Sequence, residues 1–235
     1  MKRTQTLFAL ILMGTGIAAA ASVRLAAGQA PEKSAAAVAS SSSAKLPRDI
    51  FPETGNRLPA IKRDELDDAG KKLFDARGTL DGFGPAPIRL YSDALAEHMG
   101  AVNDYLRYKA GLDPRLIQLM ILATARENDC LYVWTAHEPQ ALKAGVPPDV
   151  IDVVRYGKPL DGLAEKDAVI IQLARGAVGK HHVDSDVAAH AMRLFGKQGM
   201  VNYVSLMGDY AATTVLLNTF DQHIRPADTA RLPMP

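Results

Sequence analysis

No stretch of this chain alternates apolar and polar residues over the length of a strand, while apolar residues recur at three- and four-residue spacing in block after block. Alternation with period two is what a half-buried strand requires, and spacing of three and four is what one face of a helix requires. The chain is therefore confined to an all-α fold. Composition agrees, since aromatics are only 6% of the 235 residues while Ala and Leu are abundant, a balance that favours helices over a β-sandwich. The 48% of apolar residues suffices for a sizeable core, and the length is that of one domain. No internal repeat is visible.

Local punctuation sets the predicted helices. Asp64 to Arg77 is expected to be helical and to end at Gly78, and Gly82 to Pro87 reads as a loop. Ser92 is placed to cap a helix running to Ala110 and closed by Gly111. Asp113 followed by Pro114 is an N-cap with proline at the first helical position, opening a helix to Glu127. Asp129 is expected to cap the next, which runs to Ala144 and stops at Gly145. Pro147-Pro148-Asp149 opens a short helix through Tyr156. Glu165 to Gly179, Asp184 to Phe195 (stopped by Gly196) and Met200 to Phe220 complete about eight helices in one domain over 48–235. Leu46 to Arg63, punctuated by Pro47, Pro52 and Pro59, is expected to be an extended arm wrapping that domain.

The N-terminus reads as an address. Lys2 and Arg3 precede an apolar run from Leu7 to Ile17 and a small-residue exit ending at Ala19-x-Ala21, the pattern of a secretory signal peptide over 1–21. The run is too short to span a bilayer comfortably, so no stable membrane anchor is expected after cleavage, and the protein is expected to be exported, periplasmic or secreted. Residues 22–47, Ala- and Ser-rich with Ser40 to Ser43 in sequence, read as a flexible linker.

Charge and cysteine content narrow the function. Lys+Arg is 27 and Asp+Glu is 26, so no basic field exists to hold nucleic acid. The single cysteine, Cys130, excludes an intrachain disulfide, a CxxC redox pair and a thiolate zinc cluster. His181-His182-Val183-Asp184 has metal-like composition, but adjacent histidines point to different sides of an element, and no metal site or cofactor is expected.

The densest group of chemically able residues runs from Arg126 to Glu138. Cys130, Trp134 and His137 share one helix face. Near a helix N-terminus Cys130 would feel partial positive charge that lowers a thiol pKa; taken singly, it reads first as a small buried hydrophobe. His137 reads as a base or acid with a pKa near neutrality, or as a hydrogen-bonded structural residue. The two are seven residues and about 10.5 Å apart along a helix, too far for a thiol–imidazole dyad. Arg115, Gln118 and Arg126 form a stripe on the preceding helix, suited to a carboxylate or simply a solvated face. Tyr210 and Asn218 lie eight apart on the last helix, as pocket groups or satisfied core groups. That last helix is apolar over most of its circumference and is expected to be buried nearly all round, which points to a closed homo-oligomer.

Arg115-Leu-Ile-Gln118 through Arg126-Glu127, followed by Tyr132-x-Trp134-x-x-His137-Glu138 and Gly145, resembles the carboxymuconolactone decarboxylase family of the alkylhydroperoxidase D-like superfamily. Gly84-Pro85, Val183-Asp184, Phe195-Gly196, Gly208-x-Tyr210 and Leu217-Asn218 extend the likeness from about Leu58 to Arg225. The resemblance implies an all-helical domain assembling as trimers or hexamers, with pockets at subunit boundaries. It also implies cofactor-free lyase chemistry on a small carboxylated lactone, or thiol peroxidase chemistry through a cysteine pair. On the lyase reading, Arg115 or Arg126 would hold the carboxylate and His137 would serve as acid. Tyr132 and Trp134 would shape the pocket with Gln118, Tyr210 and Asn218, and Glu127 would orient its neighbours. On the peroxidase reading, Cys130 would be the sole reactive thiol, because the second cysteine position is Val133. Gln118 stands where many relatives carry Glu. A third reading is a non-catalytic exported oligomer that binds a small acid.

Overall fold

Asp113 and Pro114 start the helix around which the protein is organised. The Asp113 carboxylate accepts from the Arg115 backbone N–H at 2.8 Å, capping a donor the first turn would leave unpaired. In the computed structural model, which describes residues 46–76 and 81–235, this helix runs from Pro114 to Glu127 and every residue from Leu116 to Ala125 is buried. We number the α-helices α1 (Asp68–Ala76), α2 (Pro85–Arg89), α3 (Asp93–Asp104), α4 (Pro114–Glu127), α5 (Leu131–Lys143), α6 (Pro148–Arg155), α7 (Glu165–Ala174) and α8 (Ser185–Thr219). No strand occurs among the described residues apart from one isolated bridge between Phe51 and Asn56. The architecture is thus the all-α one expected. The expected signal peptide, the expected linker up to residue 45 and Gly78 lie outside the described residues.

The helix buried on all sides is α4, packed by α5, α6, α7 and α8, and not the last helix. Helix α8 buries Tyr203, Leu206, Tyr210 and Leu217 but exposes Val201, Val204 and Val215 in a line. Its apolar residues therefore divide between the core and a second, uncovered stripe. The expected break at Gly196 is present, with φ 68 and ψ 170 inside an otherwise continuous helical span.

Other local expectations are adjusted. Residues 85–89 form α2 instead of a loop, because Pro85 supplies a preset helical φ directly after Gly84. Ser92 occupies the N-cap of α3 without a side-chain bond. The cap of α5 is Cys130 rather than Asp129; Asp129 sits at φ 47 with its carboxylate taken by Arg126. Both α3 and α7 close in a wider π turn, at Tyr105–Lys109 and Arg175–Gly179.

The N-terminal arm does wrap the domain. Its anchor is Gln222, whose Oε1 accepts from Asn56 Nδ2 and from the Gly84 N–H, each at 3.0 Å, while its Nε2 donates to the Thr54 carbonyl at 2.9 Å. One buried amide thereby ties the arm, the loop before α2 and the segment after α8 together. Phe83 and Pro85, on either side of Gly84, line the site.

Candidate active site

His137 projects from α5 against α4 and α8, and both ring nitrogens are engaged. Nδ1 lies 2.9 Å from Gln118 Oε1, and Nε2 lies 3.4 Å from the Tyr210 hydroxyl. Because an amide oxygen only accepts, Nδ1 carries the proton and Nε2 presents its lone pair to the Tyr210 O–H. The Tyr210 ring meets the imidazole edge-on, with centroids 5.2 Å apart. The three residues make a directed chain, Tyr210 to His137 to Gln118, drawn from α8, α5 and α4. Gln118 suits this role because it fixes the tautomer without adding a charge.

The chain borders a cleft of about 580 Å³ whose lining includes Phe83, Arg89, Asn103, Arg107, Tyr132, His137, Tyr210 and Arg225. Tyr132 forms its wall beside Gly84. Gly84 has φ 92, and a Cβ there would come within 2.7 Å of the Tyr132 hydroxyl, so only glycine lets the loop lie against that ring. Arg225 stacks over Tyr132 and Phe83 and pairs with Asp81 at 2.6 Å. Arg89 donates to the Thr213 hydroxyl. Arg107, delivered by the π turn after α3, donates to Gln140 at 3.3 Å, and its Nε is buried without a hydrogen-bond partner. Three arginines and two aspartates, Asp104 and Asp228, line the cleft, so its charged residues favour an anion.

Electrostatics set the protonation states. Burial pushes the His137 imidazole down to about 3, and the Arg107 cation adds to this. The near-neutral pKa expected from sequence is absent because the ring is desolvated. Burial likewise raises the Tyr210 phenol to about 12, while Arg107 and a bond from Asn103 pull the other way. At neutral pH the free site holds a neutral imidazole and a neutral phenol.

The remaining residues singled out from sequence are placed elsewhere. Arg115 pairs with the buried Asp167 at 2.7 Å. Arg126 pairs with Asp129. Trp134 is fully buried and donates to Glu138 at 3.0 Å. Asn218 donates to the Asn128 carbonyl at 2.9 Å. Glu127 is half-buried against Gly179, and burial raises its carboxyl although Arg175 and Arg126 oppose this. Cys130 is 1% exposed. Burial pushes its thiol up to about 11, outweighing the backbone N–H groups of Val133 and Tyr132 at the start of α5. Of the candidates, the structure brings together His137, Gln118, Tyr132 and Tyr210. Arg89, Asn103, Arg107 and Arg225 join them without having been legible in sequence.

The thiol's burial gives a direct expectation. Alkylation of native Cys130 is expected to be far slower than that of an exposed thiol at pH 8 and to accelerate only on unfolding, because the thiolate is the nucleophile. Rapid alkylation of the folded protein at neutral pH would contradict the burial described.

The described residues form an all-helical fold with a histidine-centred cleft. Residues 93–172 match the model of the carboxymuconolactone decarboxylase family. The fold is similar to the crystal structure of an alkylhydroperoxidase AhpD core, an uncharacterized peroxidase-related protein from Ralstonia eutropha JMP134, with a TM-score of 0.58 and 20% identity over 73% of this chain and 93% of that one. No curated protein matches the chain. The matched segment covers about a third of the chain, from α3 into α7, and the solved structure shares the fold.

Proposed function

We propose that the protein is a cofactor-free lyase-type enzyme acting on a small carboxylated lactone or related acid. The observation that carries this reading is the Tyr210–His137–Gln118 chain beside an arginine-lined cleft. The bond from ring carbon to carboxylate breaks, carbon dioxide leaves, and the bond pair delocalises onto the lactone carbonyl as an enolate. Arg107 faces that developing charge. Carbon then takes the proton of the Tyr210 hydroxyl. At 3.4 Å that hydroxyl is loosely held by Nε2, beyond the usual length for such a bond, and is able to turn toward the cleft. The tyrosinate left behind sits beside Arg107 and regains its proton from solvent. Neutral His137 holds the hydroxyl until it turns to the substrate and accepts from it again once the proton is restored.

Thiol peroxidase chemistry is the weaker reading, because it needs an accessible thiolate and Cys130 offers neither access nor ionisation near neutral pH. Export and assembly into a closed homo-oligomer remain part of the proposal, and the exposed line of Val201, Val204 and Val215 supports the second. The deciding assay incubates purified protein with 4-carboxymuconolactone and related lactones and follows loss of the acid. Turnover is expected, and Arg107→Gln is expected to weaken it by about 10–100-fold in kcat/KM, the worth of one charge-assisted hydrogen bond. No turnover of any carboxylated lactone would overturn the assignment.

A further inference from the structure

One buried carboxylate lies beside the proposed acid and has no part in the steps above. Asp209 precedes Tyr210 on α8 and is 5% exposed. Its Oδ2 accepts from Asn103 Nδ2 at 2.7 Å, while its Oδ1 is buried without a hydrogen-bond partner. Burying a carboxylate this incompletely satisfied costs free energy. The bond it does make joins α3 to α8 across the floor of the cleft. An asparagine amide has two N–H donors; one serves Asp209, the chain neighbour of Tyr210, and Asn103 and Tyr210 line the same cleft.

We propose that Asn103, anchored by Asp209, is a positioning residue that holds the Tyr210 hydroxyl at the cleft wall and donates to its oxygen once the proton has left. This rests on Tyr210 being the proton donor of the reaction proposed above. The amide cannot swing away, because Asp209 fixes it from the far side, so the N–H is aimed before charge develops. The other groups facing Tyr210 are His137 from α5, Arg107 and Tyr108 from the turn after α3, and Asp209 on its own helix. Arg107 favours the phenolate and Asp209 opposes it, so the pair has two separable effects. Asn103 stabilises the ionised oxygen by donation, and Asp209 holds Asn103 while adding a repulsive charge.

Those effects have opposite signs, which makes them measurable. The test uses the whole protein labelled with 3,5-difluorotyrosine and follows the Tyr210 fluorine resonance against pH, with Tyr210→Phe identifying the signal. Asn103→Ala is expected to move the titration up by about one unit, a tenfold change in proton affinity. Asp209→Asn keeps the shape and an acceptor for Asn103 but removes the charge, and is expected to move it down. A resonance that titrates as in wild type in either folded variant, or that moves upward in both, overturns the proposal. Should Asn103→Ala fail to fold, the isosteric Asp209→Asn still decides by its direction. The titration needs no substrate, so it stands apart from the lactone assay; a failed assay with the expected shifts would remove the reaction and leave the positioning pair.

Discussion

Tyr210→Phe is expected to lower kcat by about 10²–10⁴-fold, the usual contribution of a positioned proton donor, while leaving KM nearly unchanged. The ring still packs edge-on against His137 and still fills its buried place on α8, so the loss falls on the proton alone. His137→Gln is expected to cost less, because a glutamine still offers an acceptor to the hydroxyl. A Tyr210→Phe enzyme with wild-type kcat would remove Tyr210 from the reaction. The pH profile provides a second check. With His137 held at about 3 and Tyr210 at about 12, kcat/KM is expected to show no limb near 6.5, the ordinary histidine value. A limb there would mean that the imidazole is solvated in the free enzyme.

The same burial links His137 to stability. Its folded pKa lies below its unfolded value, so between about 6.5 and about 3 the unfolded chain binds more protons than the folded one. Stability from this group is complete above the unfolded pKa and is lost as pH falls through that window. His137→Gln removes this term and flattens the acid side of the stability curve.

Much of this was legible because it is encoded locally. Asp113-Pro114, Gly111, Gly145 and Gly196 each act within a few residues, and each sits where the sequence places it. His137, Gln118, Tyr132 and Tyr210 stand at helical positions of a motif that the resemblance supplied. The arginines of the cleft had no such signal. Arg89 lies on a five-residue helix too short to show a period, Arg107 lies within a π turn that shifts the helical register, and Arg225 comes from the segment after α8. Arg115 has the right spacing on α4, but its partner is Asp167, 52 residues away. Asn218 shares a face with Tyr210, yet eight residues carry it about 12 Å along the helix, beyond the cleft. Of the two readings of Cys130, the structure carries the small buried hydrophobe and not the lowered thiol pKa: the helix start acts locally, whereas desolvation comes from the assembled core.

Glu138 shows how much of the motif serves the scaffold. Its side chain is only 5% exposed; Oε2 accepts from the Trp134 indole at 3.0 Å and Oε1 from Arg155 at 2.6 Å. The Arg155 guanidinium lies over the Trp134 ring and is itself 15% exposed. Glu138→Ala would leave the Trp134 indole without its acceptor and Arg155 with only the half-exposed Asp152, at 3.5 Å, while Arg231, at 3.8 Å from the carboxylate, is another cation. Breaking one side of a buried pair leaves an uncompensated charge and costs about 3–5 kcal/mol. In a domain of this size that is a fall in Tm of about 2–4 °C for each kcal/mol. Chemical denaturation is expected to show a lower midpoint with an unchanged m value. Glu138→Gln, which keeps one acceptor oxygen and turns its NH2 toward the other donor, is expected to lose less. Because Glu138 follows His137 directly but turns away from the cleft into the core, the folded variant should still hold its imidazole against Gln118. A loss under about 1 kcal/mol in Glu138→Ala would mean that water reaches Arg155, and the geometry of α5 around Trp134 would then have to be supported by packing alone.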